Sequence, residues 1–281
     1  MNEVQNFIFE GLGIRGSTVR LEETWRQVLA QHDYPNNLRR LLGEAVAATV
    51  LLITGLKGAP KVSLQLQGEG PVKLLLIQCS SELKVRGMAQ WREAATDKTL
   101  LGRGRLTVNL DTGEDGRCFQ GIVPLVSSRL DACLEEYFRQ SEQPPTSLAL
   151  TGTDTRVAGL LLQALPSNDP SDNTFETAVA LASTVSASEL SELPAAQLLP
   201  RLFSDYTIRL FKPRPVTHDC HCTPSHLAGV VRMLGAAELA SLIAETGQVE
   251  LTCEFCNCAF QYDAADVEAI LGGATPSQTL H

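Results

Sequence analysis

Five of the eight cysteines in this 281-residue chain fall in its last quarter, and their spacing constrains the fold more than any other feature. They read Cys220-His-Cys222, a gap of thirty residues, then Cys253-Glu-Phe-Cys256, with Cys258 following. Thiolates are the soft ligands that zinc prefers. Two close pairs separated by a helix-sized insertion suit one tetrahedral Zn²⁺ ion held by Cys220, Cys222, Cys253 and Cys256. Ordinary reduced core thiols would instead be scattered singly along apolar runs. Cys220-x-Cys222 is tighter than the usual C-x2-C ligand spacing, with Cα atoms at most about 7 Å apart, near the upper limit of disulfide geometry. Both pairs can therefore close as disulfides, the first with strain, and strained disulfides are the labile, regulatory ones. A purely structural site gains nothing from that arrangement; a switch does.

Length favours a large core plus a smaller module. The opening MNEVQNFIFEGLG carries no positive region ahead of a long apolar one, so no export signal is expected. No apolar run reaches membrane length, and with no export signal the thiols point to a reducing compartment, the cytosol. Net charge is −9, and it is unevenly placed. From His218 to His281 one basic residue, Arg232, stands against eight acidic ones, a balance of −7. A zinc module that gripped nucleic acid would carry Lys and Arg to meet phosphates, so a nucleic-acid partner is not expected.

Residues 1–165 read as one α+β domain. Asn6–Glu10 and Thr18–Glu22 alternate at strand spacing around Gly11, Gly13 and Gly16. Those glycines spell G-x-G-x-x-G, but strand rather than helix follows the third, so they are read as turn chemistry and not as a dinucleotide fingerprint. Helices are expected at Glu23–Gln31 and Leu38–Leu56. The second is apolar on most sides, which suits either a buried core helix or a sticky surface that can be uncovered. Strand-like segments follow at 61–67, 72–79, 83–89, 105–110 and 118–124, then a helix at 131–140 and strands at 147–151 and 157–165. The glycine-punctuated, short-spaced alternation favours antiparallel pairing. Cys79, Cys118 and Cys133 lie singly and read as small core hydrophobes.

Composition changes at Pro166. From there to Pro200 the chain has no Lys or Arg. Thr177–Val185 can form a helix weakened by serines, and Pro194 and Pro200 are expected to break any helix beyond it. Too many leucines remain for a solvated spacer, so residues 166–217 read as a linker that folds only against something, either a metastable cover or a stably docked subdomain. Residues 218–281 form the cysteine module: helices at 224–234 and 236–244, a hairpin of 248–252 with 259–262 carrying the Cys253–Cys256 knuckle, and a last helix to Leu271 capped by Asp263. His218, His221 and His226 crowd the site as spare ligands, outer-shell groups or bystanders.

These residues resemble the heat-shock protein 33 family of bacterial chaperones over essentially the full length. The resemblance rests on Cys220-x-Cys222 with Cys253-x-x-Cys256 inside CEFCN, supported by LLGEAVAAT at 41–49, LK at 56–57, VRGMA at 85–89 and YFRQSEQPPT at 137–146. It implies a mainly antiparallel sheet-plus-helix core, a helical linker and a C-terminal zinc domain. It also implies an ATP-independent holdase, zinc-bound and inactive when reduced. Oxidation to Cys220/Cys222 and Cys253/Cys256 disulfides would expel zinc, unfold the linker and expose a surface for unfolded client proteins, the oxidised form being a homodimer. Cys258 departs from the family pattern and can compete in pairing or lend a spare ligand. A thiol-disulfide oxidoreductase or zinc hydrolase is the enzymatic alternative, but four thiols leave zinc no open position and the C-x-x-C lacks a thioredoxin-like βαβ setting. A permanently structural zinc module is the remaining one.

Overall fold

The computed structural model describes residues 1–56, 58–92, 100–111, 118–141, 143–166, 173–220 and 222–272. Its first elements are β1 (Asn2–Phe9), β2 (Ile14–Leu21), α1 (Glu23–Leu29) and α2 (Asn36–Gly55). Then come β3 (Lys61–Gly68), β4 (Val72–Ser80), β5 (Lys84–Trp91), β6 (Gly104–Asp111), β7 (Cys118–Pro124), α3 (Leu130–Gln140), β8 (Thr146–Gly152) and β9 (Val157–Ala164). Two mainly antiparallel sheets result, one ordered β1-β2-β9-β8 and the other β5-β4-β3-β6-β7, each extended by strands from further along the chain.

Helix α2 lies between these sheets, touching β2, β8 and β9 on one side and β3, β4 and β5 on the other. That position explains a helix apolar on most sides: Leu38, Leu42, Ala45, Val46, Ala48, Val50 and Leu51 are all fully buried. In this structure the segment is a core helix, as the first of the two readings has it. Gly43 lies in α2 where a Cβ would collide with Val157, so only glycine allows helix and strand to approach this closely. Gly16 corrects the glycine reading. It sits inside β2 rather than in a turn, and a Cβ there would strike the Phe7 ring and the Leu161 carbonyl. Gly11 does supply the turn, at φ +74°.

The segment after Pro166 is more ordered than its serines and prolines suggest. It forms α4 (Thr174–Ala182), α5 (Ala187–Glu192) and α6 (Ala195–Leu202). Ser186 ends nothing; it starts α5, accepting from the Glu189 N–H while Glu189 reaches back to the Ser186 N–H. Pro194 caps α6, and Pro200 is carried inside it. The three helices cover the outer face of the first sheet. Ala178, Ala182, Leu190, Ala195, Leu198, Leu199 and Phe203 pack with Phe7, Phe9, Ile14, Ala158, Leu160 and Leu162 in a second core distinct from the one around α2. Phe203 meets Phe9 edge-on at 5.0 Å.

The chain then returns across both sheets. Strand β10 (Ile208–Leu210) and β11 (Arg214–Pro215) pair antiparallel with β1, and β12 (Thr217–His218) adds parallel to β5. Among the three single cysteines, Cys79 and Cys133 are buried as expected. Cys118 is exposed on β7, an edge strand, so its reading as a core residue is corrected. Its neighbours Phe119 and Ile122 are exposed too, because β7 lies at the margin of the sheet where few elements cover it.

Contacts divide the chain into two compact units, Met1–Asp219 and Cys220–His281. The second contains α7 (Pro224–Leu234), α8 (Ala236–Thr246), the hairpin β13 (Val249–Thr252) and β14 (Ala259–Tyr262), and α9 (Ala264–Leu271). Its core is small: Ala228, Val231, Leu239, Val249, Phe260, Tyr262, Val267 and Ile270. Asp263 caps α9 in a reciprocal box with Asp266, as its position implied. Among the described residues no single helix is long and apolar enough to cross a membrane.

Candidate metal centre

Two loops supply the cysteines. Cys220 and Cys222 lie on the stretch leading into α7, and Cys253 and Cys256 on the turn between β13 and β14. That turn is a tight knuckle. The Asn257 N–H donates to the Cys253 carbonyl at 2.8 Å, and Asn257 itself is left-handed at φ +54°, a conformation asparagine tolerates better than most side chains. The turn aims main-chain N–H groups at sulfur: those of Phe255 and Cys256 reach Cys253, and that of Cys258 reaches Cys256.

The four sulfurs converge. One ligand atom from each of Cys220, Cys222, Cys253 and Cys256 lies within 4.8 Å of all the others. Cys220 Sγ is 3.7 Å from Cys253 Sγ, and Cys222 Sγ is 3.0 Å from Cys256 Sγ. A tetrahedron with metal–sulfur bonds of about 2.3 Å has edges of about 3.8 Å. The cluster therefore has the size, count and donor chemistry to hold one metal ion, and an all-sulfur set suits a soft ion rather than calcium or magnesium. Each of these two contacts joins one loop to the other.

Crowding thiols together sets their protonation. Burial, with the Cys220 sulfur alongside, pushes Cys222 up to about 12, partly offset by a hydrogen bond from Cys256. Burial raises Cys256 as well. At Cys253 burial also acts to raise the pKa, but the N–H groups of Cys256 and Phe255 and the adjacent thiols outweigh it and hold the group below its ordinary value. Four thiolates do not coexist here without a compensating positive charge, which is what a bound cation provides.

Of the histidines, His218 lies on β12, half-buried, with its imidazole held below the usual value by burial. It is not among the converging ligands. His221 and the side chain of His226 lie outside the described residues, as does Lys57 of the LK pair. Cys258 is exposed and is not one of the four. Sequence reasoning missed the N–H groups of Phe255, Cys256 and Cys258 as sulfur partners. The visible signal for them was the C-x-x-C-Asn sequence, which favours such a knuckle.

A family model described as Hsp33 protein matches residues 2–263. The chain belongs to the Hsp33 family. Its curated relatives include the 33 kDa chaperonin of Shewanella sediminis, 40% identical over 282 residues and covering 99% of this chain and 98% of that one. The 33 kDa chaperonin of Shewanella denitrificans is 41% identical over 281 residues, covering 98% and 97%. A solved structure, the 33 kDa chaperonin (heat shock protein 33 homolog) of Thermotoga maritima, superposes with a TM-score of 0.83 over 97% of this chain and 99% of that one. At 22% identity it shows that the fold is the Hsp33 fold. The mixed α+β architecture with its C-terminal cysteine cluster agrees with that match. Membership of the Hsp33 family supports a chaperone role.

Proposed function

We propose that this chaperone is a redox-regulated, ATP-independent holdase, inactive while reduced and zinc-bound and switched on when its four clustered cysteines become two disulfides. The convergence of Cys220, Cys222, Cys253 and Cys256 from two separate loops carries the reading. When bound, zinc supplies the divalent charge that keeps four thiolates together, a contribution of roughly 10–16 kcal/mol apparent in small peptides.

The pairs, taken from the family resemblance, are Cys220 with Cys222 and Cys253 with Cys256. Each pair of thiolates gives two electrons to a peroxide, which takes two protons from solvent and leaves as two waters. Sulfurs joined in pairs carry no thiolate charge and cannot hold a cation. Among the described residues the second unit's core has eight buried apolar side chains, and whole domains are stable by only about 5–15 kcal/mol. Such a unit unfolds once its sulfurs let the metal go.

Residues 166–217 are the linker of this reading, between a core of 1–165 and a switch of 218–281. The linker helices have nine, six and eight residues, too short to persist once undocked. Undocking uncovers Phe7, Phe9, Ile14, Leu160 and Leu162, an apolar sheet face suited to unfolded clients. The acidic balance helps keep that state soluble. The oxidised form works as a homodimer in the cytosol, and neither nucleic acid nor membrane is a partner. Peroxide treatment should release zinc, raise apolar-dye binding and suppress aggregation of a denatured substrate. Equal suppression by the fully reduced, zinc-loaded protein would refute the switch.

A further inference from the structure

A fifth thiol lies against the cluster. Cys258 is the one exposed cysteine of the second unit; Cys253 is buried and Cys220, Cys222 and Cys256 are half-buried. The ladder of β13 and β14 pairs Thr252 with Ala259, so Cys253 and Cys258 face each other at the next position. The Cys253 N–H donates to the Cys258 carbonyl at 3.0 Å. Facing residues on antiparallel strands have Cα atoms about 4.5–5.5 Å apart, inside the window of about 4.4–6.8 Å that a disulfide needs. Cys258 also reaches Cys256: its N–H and its thiol both hydrogen-bond with Cys256 Sγ. The left-handed Asn257 between them turns the chain so that the two meet.

We propose that Cys258 is a peroxide-sensitive modification site, the first thiol of this unit to be oxidised, and that its first disulfide joins it to Cys253 or Cys256. The proposal deepens the redox reading and rests on it for the consequence, though not for the bond. Cys258 sulfur attacks one peroxide oxygen; an S–O bond forms, the O–O bond breaks, and the other oxygen leaves as water. Cys253 or Cys256 sulfur then attacks the sulfenic acid. An S–S bond forms, the S–O bond breaks, and the hydroxyl leaves as water with a proton taken from solvent, or from the attacking sulfur where that is still a thiol. One two-electron step thus removes one of the four converging sulfurs, using a thiol from outside the set.

The test treats the full-length, reduced, zinc-loaded protein with less than one equivalent of hydrogen peroxide, quenches with an alkylating agent and maps disulfides by mass spectrometry. Glu254 lets a glutamate-specific protease cut between Cys253 and Cys256, and fragmentation separates Cys256 from Cys258. The first disulfide should contain Cys258, and C258S should lose thiols several-fold more slowly. The proposal is overturned if Cys258 stays alkylated while Cys253–Cys256 or Cys220–Cys222 forms first, at the same rate in C258S. Zinc is assayed in the same samples. Protein that carries none at the start counts against the metal reading alone, since the bond mapping still decides the role of Cys258.

Discussion

Replacing Phe203 by alanine should turn the chaperone on without any oxidant. Phe203 is 1% exposed at the end of α6, and its ring meets Phe9 of the first sheet edge-on at 5.0 Å. Tyr206 closes on the same Phe9 ring at 5.5 Å. Truncating a buried phenylalanine costs about 3–5 kcal/mol, and each 1.4 kcal/mol is about tenfold in an equilibrium. The ratio of docked to undocked linker should therefore fall by roughly two to three and a half orders of magnitude. Three helices this short gain little stability of their own, so docking carries nearly all of theirs. The assay is hydrogen exchange over 174–203 together with light scattering of a chemically denatured substrate, both under reducing conditions with zinc bound. Gln197→Ala, on the exposed side of α6, is the control. Phe203→Ala should exchange rapidly in the linker, keep protection in the α2 core and suppress aggregation while reduced. Wild-type exchange would refute the docking argument. An open linker with no suppression would refute the idea that the uncovered sheet face holds clients.

Two more side chains carry predictions of their own. Cys222→Ser should weaken zinc binding by on the order of 100-fold or more, since even changes beyond the metal ligands cost about 10–100-fold; zinc titration and loss of helical signal from the second unit check it, and unchanged affinity would contradict a four-sulfur site. Glu44 on α2 has its carboxyl pushed up to about 7, mainly by burial, against the opposing charge of Arg40. Between its unfolded value near 4.5 and about 7 the folded protein holds the proton and the unfolded chain does not. Stability should therefore fall as pH rises through that window and level off above it, by on the order of 3 kcal/mol. Glu44→Gln should abolish that part of the slope in urea melts from pH 4.5 to 8, and parallel curves for the two proteins would disprove it.

What the sequence made legible was whatever depends on local pattern. The apolar circumference of Leu38–Ile53 marks a buried helix because no surface helix can afford it, and α2 lies between two sheets. The cysteine spacing pointed to the four sulfurs that converge, because a knuckle and a hairpin are short-range structures. Long-range packing was hidden. Gly16 looked like turn chemistry until the Phe7 ring was found stacked over it. Ser186 read as weakening a helix and Pro194 as breaking one, yet they begin α5 and α6, because both residue types also suit the first position of a helix. Strands β10 to β12 have only two or three residues each, too few for any periodicity, and form because β1 and β5 offer free edges. Cys118 differs from Cys79 only in strand position, central against edge, which composition does not encode.

Zinc-edge X-ray absorption on the reduced, zinc-loaded protein tests the central claim most directly. Four sulfur neighbours at about 2.3 Å, and their loss on peroxide treatment in step with the rise in aggregation suppression, is the predicted result. A first shell containing a nitrogen or oxygen, or one that keeps all four sulfurs in the fully active protein, would contradict it.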